Sequence, residues 1–169
     1  MSALAEWKWG LLAPDQVPDL WPQIVPFIRR AIDAVPSTSL SEESVLRRST
    51  SSQCDVWLAS DGDEDCITAV AVTSISMRGK TKTMTIEALA GNTGTMRHLK
   101  GTLRAMEGIA AELGVGLVEI DGRYGWARFL SGEGYDISRV VLGKEIGNAR
   151  SPAVAEYVVA RSWRGFTLH

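Results

Sequence analysis

The stretch that decides the fold is TMTIEALAGNTGTMRHLKGTLRAMEGIAAELGVGLVEIDGRYGWARFLSGEGY, residues Thr83–Tyr135. Its apolar residues alternate at first, then recur every three or four positions, then form a short apolar run. These patterns predict, in order, a strand (Thr83–Leu89), a Gly/Asn turn (Ala90–Gly94), a helix (Thr95–Leu113), a strand (Leu117–Ile120) and a short helix (Tyr124–Leu130). The strand–helix–strand order predicts a parallel crossover.

The residues before this stretch predict an extended segment (Glu6–Leu12), two helices and an antiparallel meander. The first helix is predicted over Asp19–Val35, and the second begins at Ser41, a favourable N-cap. The meander consists of three strands joined by short turns: Cys54–Ala59, Cys66–Met77 and Lys82–Leu89. A last strand is predicted at Ile137–Glu145. The fold class is therefore mixed α/β, and it is not a doubly wound nucleotide-binding fold.

Composition favours an ordinary globular domain. The chain has 169 residues, of which 45% are hydrophobic and 22% charged, and a net charge of -2. That charge gives no support to a nucleic-acid partner, which would need a focused patch such as Arg29, Arg30, Arg47 and Arg48. No run is apolar enough to span a bilayer and the N-terminus does not resemble a secretion signal, so we expect a cytoplasmic protein. Cys54 and Cys66 have no metal-binding spacing.

A segment near the end of the central stretch is distinctive. It reads Gly-Arg-Tyr-Gly-Trp-Ala-Arg-Phe-Leu over Gly122–Leu130 and is followed by Gly134 and Tyr135. Together with the order of elements, it resembles the GNAT superfamily of acyl-CoA-dependent N-acyltransferases, and most of all GNAT-like proteins encoded by tailed phages. The resemblance implies an acyltransferase domain over residues 1–146. Residues 147–169 would be an extension that packs on the domain or on a partner, and a dimer arm is one such role.

The resemblance also implies acetyl-CoA as co-substrate. Its pyrophosphate would be held by backbone amides between the central strand and the long helix. The residues implied are Leu89, Gly91, Asn92, Thr93, Gly94, Thr95, Met96 and Arg97. This loop is a degenerate form of the family's Arg/Gln-x-x-Gly-x-Gly/Ala signature. An ordinary strand-to-helix turn that uses Gly for its conformation is the alternative.

Glu87 is the first candidate for a general base, because the resemblance implies that the end of the central strand borders both the pantetheine arm and the substrate amine. By strand alternation it would share a face with Thr85 and Leu89. Partial burial would raise the pKa of its carboxyl toward the range suited to a base. The alternative is an ion pair on the sheet face, with Lys82 or Arg123 as the partner. Glu119 on the neighbouring strand is the second candidate.

Tyr135 is the candidate acid for the departing thiolate, with a role in the core as the alternative. In many members of the superfamily the acid is a Tyr in the last short helix, and here that position is Leu130.

Two functions follow from these residues. One is an acetyl-CoA-dependent N-acetyltransferase that acts on a primary amine of a small molecule, a protein or a modified nucleobase, and is phage-encoded. The other is a non-catalytic protein with the GNAT fold, used as a virion component or a modulator of a host protein. The absent Tyr and the degenerate loop favour the second function, since a fold does not fix an activity.

Overall fold

The structure is a computed structural model that describes residues 8–35, 38–60, 66–122 and 125–136. All of these belong to one compact unit, Met1–Asp136. The predicted strand Ile137–Glu145 and the extension 147–169 lie outside the described residues, and so does Arg123. Among the described helices, none combines the length and the apolar character that a membrane span requires.

The described strands form one five-stranded sheet in the order β1-β2-β3-β4-β5. The first three pairings are antiparallel and the last, between β4 and β5, is parallel. The strands are β1 (Lys8–Leu11), β2 (Asp55–Ser60), β3 (Ala69–Arg78), β4 (Thr81–Gly91) and β5 (Leu117–Ile120). The predicted meander and parallel crossover are confirmed.

Within the described ranges, four α-helices accompany the sheet: α1 (Val17–Asp33), α2 (Glu42–Thr50), α3 (Met96–Glu112) and α4 (Gly125–Leu130). Ser41 caps α2 as predicted: its side chain accepts from the Ser44 amide at 3.1 Å, and the Ser44 hydroxyl accepts from the Ser41 amide at 3.1 Å. The crossover helix α3 ends at Glu112. Gly114, two residues later, has φ +70°, a left-handed conformation that suits glycine.

The core consists of two clusters on opposite faces of the sheet. On one face, Val56, Val70, Val72 and Ala88 pack with residues of α1 and α2, among them Ile24, Ile28 and Val45. On the other face, Trp57, Ala71 and Ile86 pack with Leu99, Leu103 and Met106 of α3. Leu130 of α4 belongs to this second cluster and is only 3% exposed. The position where the family resemblance would place a Tyr acid is therefore a buried core leucine.

Candidate active site

The parallel pairing of β4 with β5 ends before β4 itself ends. The last paired residues are Ile86 and Ile120, and the Asp121 amide then donates to the Ile86 carbonyl at 2.9 Å. From Glu87 to Gly91, β4 continues with β3 as its neighbour on one side. On its other side, no strand among the described residues pairs with it.

Backbone groups of β4 face this open edge. The Asn92 amide donates to the Thr68 carbonyl at 2.9 Å and so faces β3. Because the backbone groups of a strand alternate in direction, those of Ala90 face β3 as well, whereas those of Leu89 and Gly91 face the open edge. An extended ligand that contains amides could pair there, as a peptide adds to a sheet edge.

Glu87 lies on a bulge at the start of this edge. Thr73 of β3 pairs with Ile86 and Val72 pairs with Ala88, so Glu87 is an extra residue on β4. Ile86 and Leu89 pack in the α3-side cluster, while Ala88 packs in the cluster on the other face. Glu87 also reaches that other face, where α2 lies. The expectation that Glu87 and Leu89 share a face is therefore wrong, because the bulge interrupts the alternation.

Both carboxylate oxygens of Glu87 have charged or polar partners. The Arg48 guanidinium donates to Oε2 through Nη1 and to Oε1 through Nη2, each at 2.7 Å. The Ser74 hydroxyl donates to Oε1 at 2.5 Å. The side chain of Glu87 is 17% exposed and that of Arg48 is 24% exposed. The three side chains come from β4, α2 and β3, and together they form a partly buried cluster that we call the Glu87 cluster.

The pKa of Glu87 lies below its ordinary value. Burial is the largest single influence and raises this pKa, but the hydrogen bonds from Arg48 and Ser74, with the positive charge of Arg48, together outweigh it. The expected raised pKa is therefore wrong for this arrangement. An ion pair on the sheet face is confirmed, but its partner is Arg48, whereas Lys82 donates to the Leu113 carbonyl at 2.8 Å.

Glu119, the second candidate base, is also paired. Its carboxylate contacts the Arg78 guanidinium at 2.8 Å across the sheet. It lies on β5 beside Thr85, within the paired part of the two strands. Glu119 is thus placed away from the open edge of β4.

The loop after β4 is a compact turn with two glycines in different roles. The Thr95 amide donates to the Asn92 carbonyl at 3.1 Å. A Cβ on Gly91 would lie 2.5 Å from the Thr95 side chain, so that position has no room for a side chain. Gly94 has φ +89° and open space around it. Thr95 has helical backbone angles and does not cap α3 through its side chain.

Amides and cations meet at this loop. Among the described residues, the amides of Thr93 and Gly94 have no hydrogen-bond acceptor. Arg30 of α1 reaches the loop: its Nη2 lies 3.3 Å from Asn92 Oδ1, and its guanidinium stacks 4.5 Å from the centre of the Phe27 ring. Arg97, in the first turn of α3, donates to His98 Nε2 at 2.8 Å.

Arg30 is a residue that sequence reasoning missed at this place, since it was considered only as part of an arginine patch. The structure distributes that patch among different partners. Arg29 pairs with Glu42 at 2.7 Å, Arg48 pairs with Glu87, and Arg30 contacts the loop. No periodicity signal links Arg30 to Asn92, because the two are 62 residues apart.

Tyr135 is engaged elsewhere than at Glu87. Its hydroxyl donates to Glu107 Oε1 at 2.7 Å, and its ring packs with the α3-side cluster. Burial first, then the hydrogen bond and the charge of Glu107, raise the pKa of Tyr135 above its usual range. The structure therefore brings Leu89, Gly91 and Gly94 together along one edge with Glu87 at its start. It does not bring Tyr135 to the Glu87 cluster.

Comparison with known proteins gives matches at the level of structure. No protein-family model matches the chain, and no curated protein sequence matches it. An aminoglycoside acetyltransferase from an uncultured soil metagenomic sample, solved with sisomicin, superposes with TM-score 0.60 at 15% identity, covering 83% of this chain and 96% of that one. A protein of Clostridium acetobutylicum described as a predicted acetyltransferase was solved with acetyl-CoA. It superposes with TM-score 0.63 at 11% identity, covering 86% of this chain and 100% of that one.

A ribosomal-protein-alanine N-acetyltransferase of Brucella melitensis biovar Abortus 2308 gives a TM-score of 0.61 at 7% identity, covering 84% of this chain and 100% of that one. The chain thus has the mixed α/β fold of the GNAT acetyltransferases, as the sequence resemblance implied. At these identities the likeness is one of fold.

Proposed function

We propose that this protein is an acetyl-CoA-dependent N-acetyltransferase whose acceptor is a primary amine. The observation that carries the proposal is the open edge of β4 from Glu87 to Gly91, which leads directly into a loop with two free amides. An acyltransferase needs this combination, because the cofactor has an amide-containing arm and a charged pyrophosphate. The acetyltransferase fold and the neighbour solved with acetyl-CoA support it.

The residues present fit the cofactor. The backbone groups of Leu89 and the amide of Gly91 would pair with the amides of the pantetheine arm, while the Gly91 carbonyl lies 3.5 Å from Arg30 Nη1. The amides of Thr93 and Gly94, at the positive end of α3, would bind the pyrophosphate. The guanidinium groups of Arg30 and Arg97 would add positive charge beside the loop. Acetyl-CoA supplies the activated thioester, so the protein has to position it and prepare the amine.

Glu87 takes one proton from the acceptor ammonium, and the nitrogen lone pair attacks the thioester carbonyl carbon. The carbon–sulfur bond breaks, the thiolate leaves with the bond pair, and the nitrogen loses a second proton to the thiolate through solvent. A thiol has a pKa of about 8.5, so its thiolate leaves without a strong acid. For this reason the proposal needs no acid at Tyr135.

The Glu87 cluster also supports the alternative of a fold without catalysis. A carboxylate that is already paired with Arg48 is a poor base, and Leu130 is buried where an acid would be expected. A non-catalytic protein would keep such an arrangement for stability. A transfer assay separates the two functions.

The assay follows the release of CoA thiol from acetyl-CoA in the presence of single amines: an alkylamine, an aminoglycoside and a peptide with a free N-terminus. The proposal predicts thiol release that depends on both substrates and is lost in Glu87→Gln. Thiol release at the buffer rate with all three amines, from protein that binds acetyl-CoA, would favour the non-catalytic alternative. A phage origin, a cytoplasmic location and a dimer through residues 147–169 stay predictions and are no part of this proposal.

A further inference from the structure

The Glu87 cluster has a feature that the proposed reaction leaves unexplained: the carboxylate that should receive the amine is occupied by a guanidinium from its own chain. We propose that Arg48 is a positioning residue whose side chain blocks the Glu87 carboxylate in the free protein. A cationic amine acceptor then displaces the Arg48 guanidinium from Glu87. The inference rests on the proposed function and names the acceptor's charge and the group it displaces.

Arg48 contacts the Glu87 carboxylate in a two-pronged geometry. Arg48 uses two parallel bonds of 2.7 Å, one to each carboxylate oxygen, and Ser74 adds a bond to Oε1. A guanidinium in this arrangement occupies one side of the carboxylate and contacts both of its oxygens. An acceptor nitrogen and Arg48 therefore cannot both take this side of Glu87.

The group that displaces Arg48 from Glu87 has to be positively charged. Glu87 is 17% exposed, so its negative charge is poorly solvated without a partner. Removing one member of such a pair is costly because it leaves the other charge unpaired. A neutral or anionic acceptor would leave Glu87 in that state, whereas an ammonium replaces the lost cation with three donors of its own.

The side chain of Arg48 can move while its backbone stays in place. Its backbone is fixed, since its carbonyl accepts from the amides of Gln53 at 2.8 Å and Cys54 at 3.3 Å. Its side chain is 24% exposed and has several rotatable bonds. We therefore place the displacement in the Arg48 side chain, with helix α2 staying where it is.

The displacement of Arg48 changes the electrostatic surroundings of the Glu87 carboxyl. The groups that face Glu87 are Arg48 from α2 and Ser74 from β3, and the charge of Glu87 acts on Cys54, just before β2. Burial raises the pKa of Cys54 to about 11, so this thiol is neutral at ordinary pH. Once Arg48 leaves, burial is opposed by the Ser74 hydrogen bond and by the ammonium that takes the place of Arg48. The exchange brings the ammonium into contact with the carboxylate that would receive its proton.

The test uses the full chain and the variants Arg48→Met and Arg48→Lys, with Arg47→Met as the matched control. Arg47 is the adjacent arginine of α2 and is exposed. The side-chain carboxyl carbon of Glu87 is followed by NMR while pH is varied, and again while 1,4-diaminobutane or the uncharged 1,4-butanediol is added. Glu87→Gln identifies the signal. This readout needs no acetyl transfer, so it stands apart from a failure of the proposed function.

We expect the wild type and Arg47→Met to titrate below the ordinary glutamate range, and Arg48→Met to titrate above it. The diamine should bind Glu87 at least about tenfold more tightly in Arg48→Met than in the wild type, and the diol should not bind. Arg48→Lys should lie between, because a single ammonium replaces a two-pronged contact. If Arg48→Met does not fold, Arg48→Lys carries the test alone.

Two results would overturn the inference. One is weaker diamine binding in the Arg48 variants, which would make Arg48 part of the acceptor site. The other is binding of the diamine at Glu87 that is equal in the wild type and in Arg48→Met or Arg48→Lys, which would make the pair purely structural. In an active preparation, the kinetic counterpart is a lower KM for the amine in Arg48→Met with unchanged KM for acetyl-CoA.

Discussion

The hydroxyl of Tyr135 donates to Glu107 Oε1 at 2.7 Å and so ties the segment after α4 to the middle of helix α3. Both groups lie on the α3 side of the sheet, whereas the Glu87 carboxylate lies on the α2 side. The two candidate catalytic side chains are thus separated by the sheet. This relationship decides what should follow when each one is changed.

Tyr135→Phe should destabilise the protein with little effect on turnover. The hydrogen bond to a carboxylate in a partly buried place contributes about 1.5 kcal/mol, and the phenyl ring keeps the packing. Chemical denaturation measures the loss in free energy of unfolding, and kcat should stay within about threefold. A drop in kcat of about a hundredfold with unchanged stability would instead restore Tyr135 as the acid.

Glu87→Gln should remove turnover and spare the cofactor. A general base contributes about 10²–10⁴-fold to a rate, so we expect kcat to fall by at least about a hundredfold. The dissociation constant of acetyl-CoA should change by less than about twofold, since the cofactor contacts come from Leu89 onward. Glu119→Gln is the matched control on the adjacent strand, and its kcat should stay near that of the wild type. Unchanged turnover in Glu87→Gln would remove Glu87 from the mechanism.

The Arg48–Glu87 pair should couple energetically in unfolding. The two side chains are 24% and 17% exposed, so their mutual contacts are only partly screened by water. A double-mutant cycle with Arg48→Met and Glu87→Gln should give a coupling energy of about 2 kcal/mol. The same cycle with Arg47→Met in place of Arg48→Met should give a value near zero. Equal couplings in the two cycles would contradict the described contact.

Lowering the pH should weaken the contribution of the Arg48–Glu87 pair to the stability of the protein. Because the pKa of Glu87 is lowered in the folded state, its contribution to stability is present above the unfolded pKa of about 4.3. That contribution is lost as pH falls through the folded pKa. The difference in free energy of unfolding between wild type and Glu87→Gln should therefore shrink as the pH falls below about 4.3. A constant difference would mean that the carboxylate has no favourable partner.

The two cysteines should differ in reactivity toward iodoacetamide at about pH 8. Cys54 is buried at 4% exposure, and burial raises the pKa of its thiol to about 11, whereas Cys66 is exposed. The thiolate is the reactive form, so Cys66 should react at least about a hundredfold faster. Cys54→Ser and Cys66→Ser isolate each thiol for measurement by mass spectrometry. Similar rates in the folded protein would contradict the burial of Cys54.

Local signals predicted much of this fold. The sequence predicted β5 at Leu117–Ile120, which is its observed range, and α3 within one residue at each end. Ser41 was identified as an N-cap from its own neighbours. These features depend on residues that are adjacent or a few positions apart, so periodicity and capping rules detect them.

The arrangement around Glu87 could not be predicted in the same way. Its bulge depends on a slip in pairing with β3, and its partner Arg48 is 39 residues away on a different element. Alternation alone assigned Glu87 to the face of Leu89, and burial alone suggested a raised pKa. The direction of the pKa shift was set by a long-range ion pair, for which a single sequence carries no local signal.

The most direct test of the account is calorimetric titration of acetyl-CoA into the wild type, Gly94→Trp and Gly114→Trp. Gly94 and Gly114 both have positive φ and open surroundings, so the second variant controls for backbone strain. Only Gly94 lies in the loop that would hold the pyrophosphate. We predict saturable binding to the wild type and Gly114→Trp, and a loss of at least about tenfold in affinity for Gly94→Trp. Equal affinity in all three, or no binding to the wild type at millimolar acetyl-CoA, would contradict the proposed cofactor site.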